Sequence, residues 1–262
     1  MPYPNLRGKH RHEAIVSPAA HLSYLRSIEA SPVPDKSPEA WILTYQRSLF
    51  DWILESEQAE RIRHDSALVS RGDARIGVAG RFGFGAPVAV LTLEVIIAAG
   101  ARRIISIGTA GALQGDLHAG DLVLCEKAIR DEGVSHHYLP AARYAASSPD
   151  LTDDLAEGLA SAGCAFKRGA AWTIDTPFRE TVEEARRYRD ENVLAVEMEA
   201  AALFAVGAVR GVQVACAFSI SDLLEDGGWK PQFHLAQTAE GLRTLYTVAA
   251  ATLAASPSRR GG

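Results

Sequence analysis

Apolar and polar positions change period along this chain, and the changes predict alternating strands and helices. Residues 75–79 (RIGVA) read as a strand, followed by a glycine-rich turn over 80–87. Residues 88–99 are apolar over helical length, and Gly100 stands where a helix stops. The β-branched run 103–107 (RIISI) predicts a buried strand, and 121–128 another. A helix over 151–162 ends at Gly163, and 165–174 is strand-like. Thr181 and Glu184 have capping-box spacing and open a helix through Arg189. A short strand at 194–196, an alanine-rich helix over 198–209, a strand over 212–220 and a terminal helix over 237–254 complete the series. The first forty residues are mixed. Residues 8–12 are polar and basic, 13–16 can open a short strand, and 31–38 (SPVPDKSP) form a loop. Residues 256–262 (SPSRRGG) read as a frayed tail.

Strands alternating with helices predict an α/β fold, with a central sheet covered on both faces. The length of 262 residues suits one large domain, and no long linker or internal repeat divides it. In such folds ligands collect where strand C-termini feed loops. That directs attention to 83–87, 108–111, 197–199 and 221–222.

Composition narrows the functional classes. A hydrophobic fraction of 47% with 23% charged residues is that of an ordinary globular chain. A formal net charge of −5 provides no positive field for a polyanion, so nucleic acid is not an expected partner. The three cysteines, Cys125, Cys164 and Cys216, lie far apart in apolar runs and read as reduced, buried thiols in a cytoplasmic protein. With no CxxC pair, a structural zinc is not expected. No signal-like segment opens the chain. The longest apolar stretch, 88–99, contains Thr92 and Glu94 and is too short to span a bilayer, so no membrane role is expected.

Each candidate motif has a structural reading beside a functional one. Gly108-Thr109-Ala110-Gly111 is either a plain strand-to-helix turn or a cradle whose backbone N–H groups and Thr109 hydroxyl hold an oxyanion. Glu197-Met198-Glu199 is either an acidic helix N-terminus or a ribose site, with a carboxylate for vicinal hydroxyls and a soft methionine face. Asp222 is either a turn residue or a partly buried acid. His136 and His137 tempt a metal reading, but adjacent loop histidines without supporting carboxylates favour a structural or substrate-facing role. No P-loop, complete dinucleotide fingerprint or GxSxG elbow is present.

In this order the segments GFGAP (83–87), SIGTAGAL (106–113), AGDLVLCEKAIRDEG (119–133), VEMEAAAL (196–203) and SISD (219–222) resemble the nucleoside phosphorylase family. That family includes bacterial purine nucleoside phosphorylase, uridine phosphorylase and the thioadenosine nucleosidases. The resemblance covers about residues 75–225. It implies one α/β domain over 1–262 with a twisted mixed sheet flanked by helices, assembled as dimers or hexamers. It implies cleavage of an N-glycosidic bond by phosphate, without metal or organic cofactor, and with nucleoside and phosphate as small-molecule partners. By resemblance Glu199 grips ribose hydroxyls, Met198 lies beneath the sugar, Glu197 is the preceding acid of the uridine-cleaving branch, Thr109 touches phosphate with Gly108, Phe178 stacks on the base and Asp222 protonates it. A neighbour's N-terminal segment completes the sugar pocket in that family, and His10, Arg11 and His12 are the candidates here.

Two phosphate-neutralising arginines of the family are replaced. Ser106 stands at one position, and the stretch matched to the other, 15–22 (IVSPAAHL), carries neither its glycine nor its arginine. Arg81, ahead of the 83–87 turn, is the expected substitute, with Arg130 and Arg179 as alternatives. Water as nucleophile, or a non-catalytic nucleoside-binding protein, are the competing readings.

Overall fold

The computed structural model describes residues 4–225 and 228–255. The predicted frayed tail, 256–262, lies outside the described residues. A short 3₁₀ turn (Lys9–Arg11) precedes α1 (Pro18–Ser27), β1 (Ala40–Thr44), α2 (Arg47–Ser56), β2 (Glu60–Arg63), β3 (Ser66–Arg71) and β4 (Ala74–Ala79). Then come α3 (Ala86–Ala98), β5 (Arg103–Ala112), β6 (Leu122–Asp131), α4 (Ser135–Tyr138), β7 (Tyr144–Ala146), α5 (Pro149–Ser161) and β8 (Phe166–Ile174). A second 3₁₀ turn (Pro177–Arg179) leads into α6 (Val182–Asp190), β9 (Val193–Glu197), α7 (Ala200–Arg210), β10 (Gln213–Glu225), β11 (Gly228–Pro231) and α8 (Ala236–Ala254).

All eleven described strands join one mixed sheet in the order β11-β10-β6-β8-β9-β5-β1-β4-β3-β2, with β7 on β6. An additional β10–β5 pairing closes part of it, so β5, β10, β6, β8 and β9 form a ring. Side-chain alternation sends Trp41, Leu43 and Ile104 to one face, packed with α3 and α7, and Ile42, Ile105 and Ile107 to the other, packed with α2, α5 and α8. Helix α7 lies between sheet and neighbours, and every residue from Ala200 to Gly207 is buried. Its alanines admit this close approach. A third cluster around Trp172, Ile129 and Leu113 lies beside α6. The predicted capping box at Thr181 and Glu184 is formed.

The α/β expectation holds from residue 74 onward, with three corrections. Residues 13–16 form no strand, and Ile15 is fully exposed. Residues 108–111 are not a turn but the second half of β5, and β10 runs on through Asp222 to Glu225. Their small residues suit an extended strand lying under bulky neighbours. The 135–138 stretch, read as loop, is the short helix α4. Between residues 18 and 71, α1, β1, α2, β2 and β3 went unread in the sequence.

Cys125 and Cys216 are buried and face each other across β6 and β10, whereas Cys164 is partly exposed; all three are free. Among the described residues, no helix is long and apolar enough to cross a membrane, and no cluster of three or more His, Cys, Asp or Glu is arranged to hold a metal. His136 instead places Nε2 3.2 Å from the Arg130 carbonyl.

Gly77 of β4 sits in register with the fully buried Trp41, and a Cβ there would lie 2.3 Å from the indole. Backbone and a large ring leave little room to relax. Gly77→Ala is expected to cost about 1–3 kcal/mol by overpacking, read as a lower urea midpoint at unchanged slope. An unchanged midpoint would show that the indole shifts freely.

Candidate active site

Strands β5 and β10 run parallel from Arg103 and Gln213 and form the floor of a cavity of about 660 Å³. Pairing of β1 with β5 ends at Thr44–Ile107, and β9 joins the same edge of β5 only at Gly111–Val196. Gly108, Thr109 and Ala110 therefore have one edge uncovered by either strand. The cavity opens there. A bulge in β10 between Ile220 and Asp222 sets Asp222 opposite Gly111. A Cβ on Gly111 would lie 2.9 Å from Asp222 Oδ2 and 2.5 Å from Leu224 Cδ1, so only glycine leaves space for the carboxylate.

Glu197, Met198 and Glu199 line one wall where β9 passes into α7. Glu197 Oε2 accepts the N–H groups of Glu199 (2.7 Å) and Ala200 (2.8 Å), and Oε1 accepts the Thr173 hydroxyl. Thr173 in turn accepts the Ala201 N–H at 3.0 Å. Glu197 and Thr173 thus satisfy the orphan donors of α7, and Glu197 anchors the backbone of Glu199. Glu199 Oε1 accepts the Gly85 N–H at 2.5 Å, which joins this wall to the 83–87 turn. Met198 Cε approaches Gly85 from the same side. Burial pushes both glutamates above the usual carboxylate range, and at Glu199 the neighbouring Glu197 adds to it.

Near Thr109 the lining is neutral. Gln46 Nε2 donates to Thr109 Oγ1 at 3.0 Å, which leaves the threonine hydroxyl hydrogen free. The Tyr45 hydroxyl pairs with Ser106 Oγ at 2.8 Å. Gly108 is absent from the cavity lining; a Cβ on it would lie 3.1 Å from the Tyr45 ring. Its small size admits that ring. Residues 15–22 are outside the cavity lining, whereas Tyr45 and Gln46, between β1 and α2, are part of it.

Arg81 requires a further correction. Its guanidinium pairs with Asp51 of α2 and lies 6.0 Å from the Phe50 ring centroid, outside the cavity lining. Arg130 is likewise committed, with Nε on Ser135 (2.8 Å) and other nitrogens on the Leu139 and Pro140 carbonyls. Arg179, in the second 3₁₀ turn, is exposed and outside the lining.

The mouth is aromatic and acidic. Phe84, Phe178, Trp229 and Phe233 line it with exposed rings, those of Trp229 and Phe233 6.3 Å apart between centroids. Asp222, 8% exposed, receives the Ser221 hydroxyl on Oδ1 (2.7 Å) and the Trp229 indole N–H on Oδ2 (2.8 Å). Among the described residues, five carboxyl groups line the cavity (Glu180, Glu197, Glu199, Asp222 and Glu225) with one cation, Arg189. Arg189 donates to the Leu113 and Leu224 carbonyls at 2.8 and 2.7 Å. Sequence reasoning had missed Tyr45, Gln46, Glu180, Arg189 and Trp229. The available signal for the first two was the apolar run AWILT followed by polar residues and an amphipathic helix.

A family model described as "Phosphorylase superfamily" matches residues 65–254. DeoD-type purine nucleoside phosphorylase of Bacillus cytotoxicus is 30% identical over 155 residues, 58% of this chain and 66% of the relative; the match thus spans just under two thirds of that relative's length. Purine nucleoside phosphorylase from Toxoplasma gondii, solved with immucillin-H, superposes with a TM-score of 0.75 at 18% identity, covering 84% of this chain and 92% of that one. Uridine phosphorylase from Vibrio fischeri gives 0.68 at 23% identity, covering 84% and 91%.

The buried glutamates make stability depend on pH. A carboxyl whose folded pKa is raised binds its proton more tightly folded than unfolded, so stability falls as pH climbs from the unfolded value, about 4.3, through the folded one. Between pH 6 and pH 8 the wild-type Tm is expected to fall more steeply than that of Glu199→Gln. The difference should be at least about 2 °C, the shift produced by about 1 kcal/mol in a domain of this size. Parallel Tm curves would show that Glu199 is not held above the usual carboxylate range.

Proposed function

The chain belongs to the phosphorylase superfamily, and we propose that it cleaves the N-glycosidic bond of a purine or uridine-type nucleoside with phosphate, giving free base and ribose 1-phosphate. The observation that carries this reading is the placement of Glu199: buried, lining the cavity and held by Gly85 beside Met198. A carboxylate so fixed suits the vicinal hydroxyls of a ribose lying on the methionine. As the C1′–N bond lengthens, positive charge grows on the sugar ring. A buried negative charge interacts with it far more strongly than in water. Hydroxyl donors from the sugar favour the ionised form of Glu199 once substrate is bound. Glu197 lines the same wall and acts here chiefly by holding Glu199. Phe178 lies at the rim, within the aromatic mouth that would receive the base. Asp222 lines that mouth too. Thr109, with Gln46 and Tyr45, faces the nucleophile. Phosphate enters as co-substrate, with no metal or organic cofactor in the scheme. The same reading makes 1–262 one catalytic domain, working in the cytoplasm as a homo-oligomer, dimer or hexamer.

Water as nucleophile is a second reading favoured by two observations. With Arg81 on Asp51, the lining near Thr109 provides neutral donors only. Gln46 Oε1 is buried without a hydrogen-bond partner, and such an acceptor takes a water proton more readily than it tolerates the oxygens of a dianion. A buried anion without cations is costly, so phosphate affinity should be weak if phosphate is used at all.

The deciding measurement is base release across a phosphate titration, with the sugar product identified. Phosphate-dependent release giving ribose 1-phosphate at high half-saturation is expected. Free ribose at a phosphate-independent rate would establish the hydrolytic reading instead. In either case Glu199→Gln should fold and lose at least 100-fold in kcat, since a charge-assisted hydrogen bond alone is worth about 1.5–3 kcal/mol. Wild-type turnover in that variant would remove Glu199 from the site.

A further inference from the structure

We propose that Glu180 is the acid that delivers a proton to the departing base, beside Asp222, whose oxygens are already engaged by Ser221 and Trp229. This rests on the nucleoside-cleavage reading and names a catalytic residue within it. Asp222 is the obvious acid by position, but its hydrogen bonds point the other way. Both of its oxygens accept donors, from the Ser221 hydroxyl and the Trp229 indole. With both oxygens so engaged, Asp222 is not placed to hand a proton to the base. Trp229 is fixed for this task by pairing with Leu224 in the β10–β11 hairpin.

Glu180 has the opposite surroundings. It follows the Phe178 turn and lines the same cavity, and its backbone N–H is tied to the Pro177 carbonyl. Among the described residues its carboxyl has no hydrogen-bond or ion-pair partner, although the residue is half-buried. Burial, then the charge of Asp222, then that of Glu184, push it up to about 7. The other charged groups on this side are already committed. Glu184 is occupied by Thr181 in the capping box, Glu225 pairs with Lys230, and Arg189 donates to the Leu113 and Leu224 carbonyls. Of these two carboxyls, that of Asp222 is engaged by donors, and that of Glu180 has none among the described residues.

The proton balance is simple. The C1′–N bond breaks and its electron pair stays with the base. The Glu180 proton passes to a ring nitrogen of that base. The nucleophile, phosphate or water, forms the new C1′–O bond and releases one proton, which restores Glu180 through solvent.

The test uses the full chain, with wild type, Glu180→Gln and Asp222→Asn. Initial rates are measured from pH 5 to 9 on inosine, on uridine and on 7-methylinosine, whose base leaves without needing a proton. Glu180→Gln should lower kcat/KM on inosine at least 100-fold and on 7-methylinosine less than fivefold. Asp222→Asn removes the neighbouring charge, so Glu180 should titrate lower and the alkaline limb on inosine should move to lower pH. A ¹³C-carboxyl titration read by difference against Glu180→Gln should place Glu180 near 7 in wild type and lower in Asp222→Asn. If wild type releases base but Glu180→Gln matches it within threefold, or if Glu180 titrates near the ordinary 4.3, this inference falls and nucleoside cleavage stands. If wild type releases base from uridine alone, this inference falls and nucleoside cleavage stands; if it releases base from none of the three nucleosides, both fall.

Discussion

The cavity depends on an interruption in strand pairing. Strand β5 continues past the last residue of β1 before β9 reaches the same edge, leaving Gly108, Thr109 and Ala110 with one edge open. Unpaired backbone groups inside a fold need partners, and a strand edge without a neighbour is a place where a ligand can approach. Tyr45 and Gln46 follow β1 directly and deliver their side chains to this opening, one to Ser106 and one to Thr109. On the other edge, β10 stays paired and bulges at Ser221, which brings Asp222 over Gly111. Closure of the ring by β9 then adds the glutamates. Three walls therefore meet because three strands end or bend at one level of the sheet.

Small residues make this convergence possible. Gly111 leaves space for Asp222, Gly108 for the Tyr45 ring, and the alanines of α7 for close packing behind Glu199. Gly85, at φ +97°, turns its N–H toward Glu199. The buried negative charge of the glutamate pair is offset locally by N–H groups at the start of α7, where the helix dipole favours an anion.

Much of this order was legible in the sequence where a periodic signal existed. The βα alternation after residue 74, the capping box at Thr181 and the strand–helix junction at Glu197–Glu199 all follow from spacing. What failed was the distinction between a glycine-rich turn and a glycine-bearing strand. Residues 108–111 carry turn-forming composition, yet they are extended because β10 pairs with them and because bulky neighbours occupy the space their missing side chains leave. Local propensity carries no record of that neighbour. The same limit hid β1, whose five residues are too short to outweigh the proline-rich loop before them. Arg81 illustrates a different failure. Adjacency to the 83–87 turn suggested the cavity, but a backbone φ of +60° and the nearby Asp51 turn the guanidinium away.

Under the proposed chemistry, the charge distribution of the cavity has a definite consequence for which step it assists. A nucleoside enters nearly neutral, whereas the sugar becomes cationic as the glycosidic bond breaks. Fixed carboxylates stabilise the second state more than the first, and only such a difference accelerates a reaction. The same field opposes an incoming phosphate, whose charge is already complete before any bond forms. With Glu199 ionised under the sugar hydroxyls and Arg189 turned to backbone carbonyls, the described lining therefore favours bond breaking over anion capture. A site of this kind works best when the leaving base is already neutralised by a proton and the nucleophile arrives late. The neutral Tyr45–Gln46–Thr109 end and the acidic mouth are then two halves of one arrangement, in which the sugar cation forms between them.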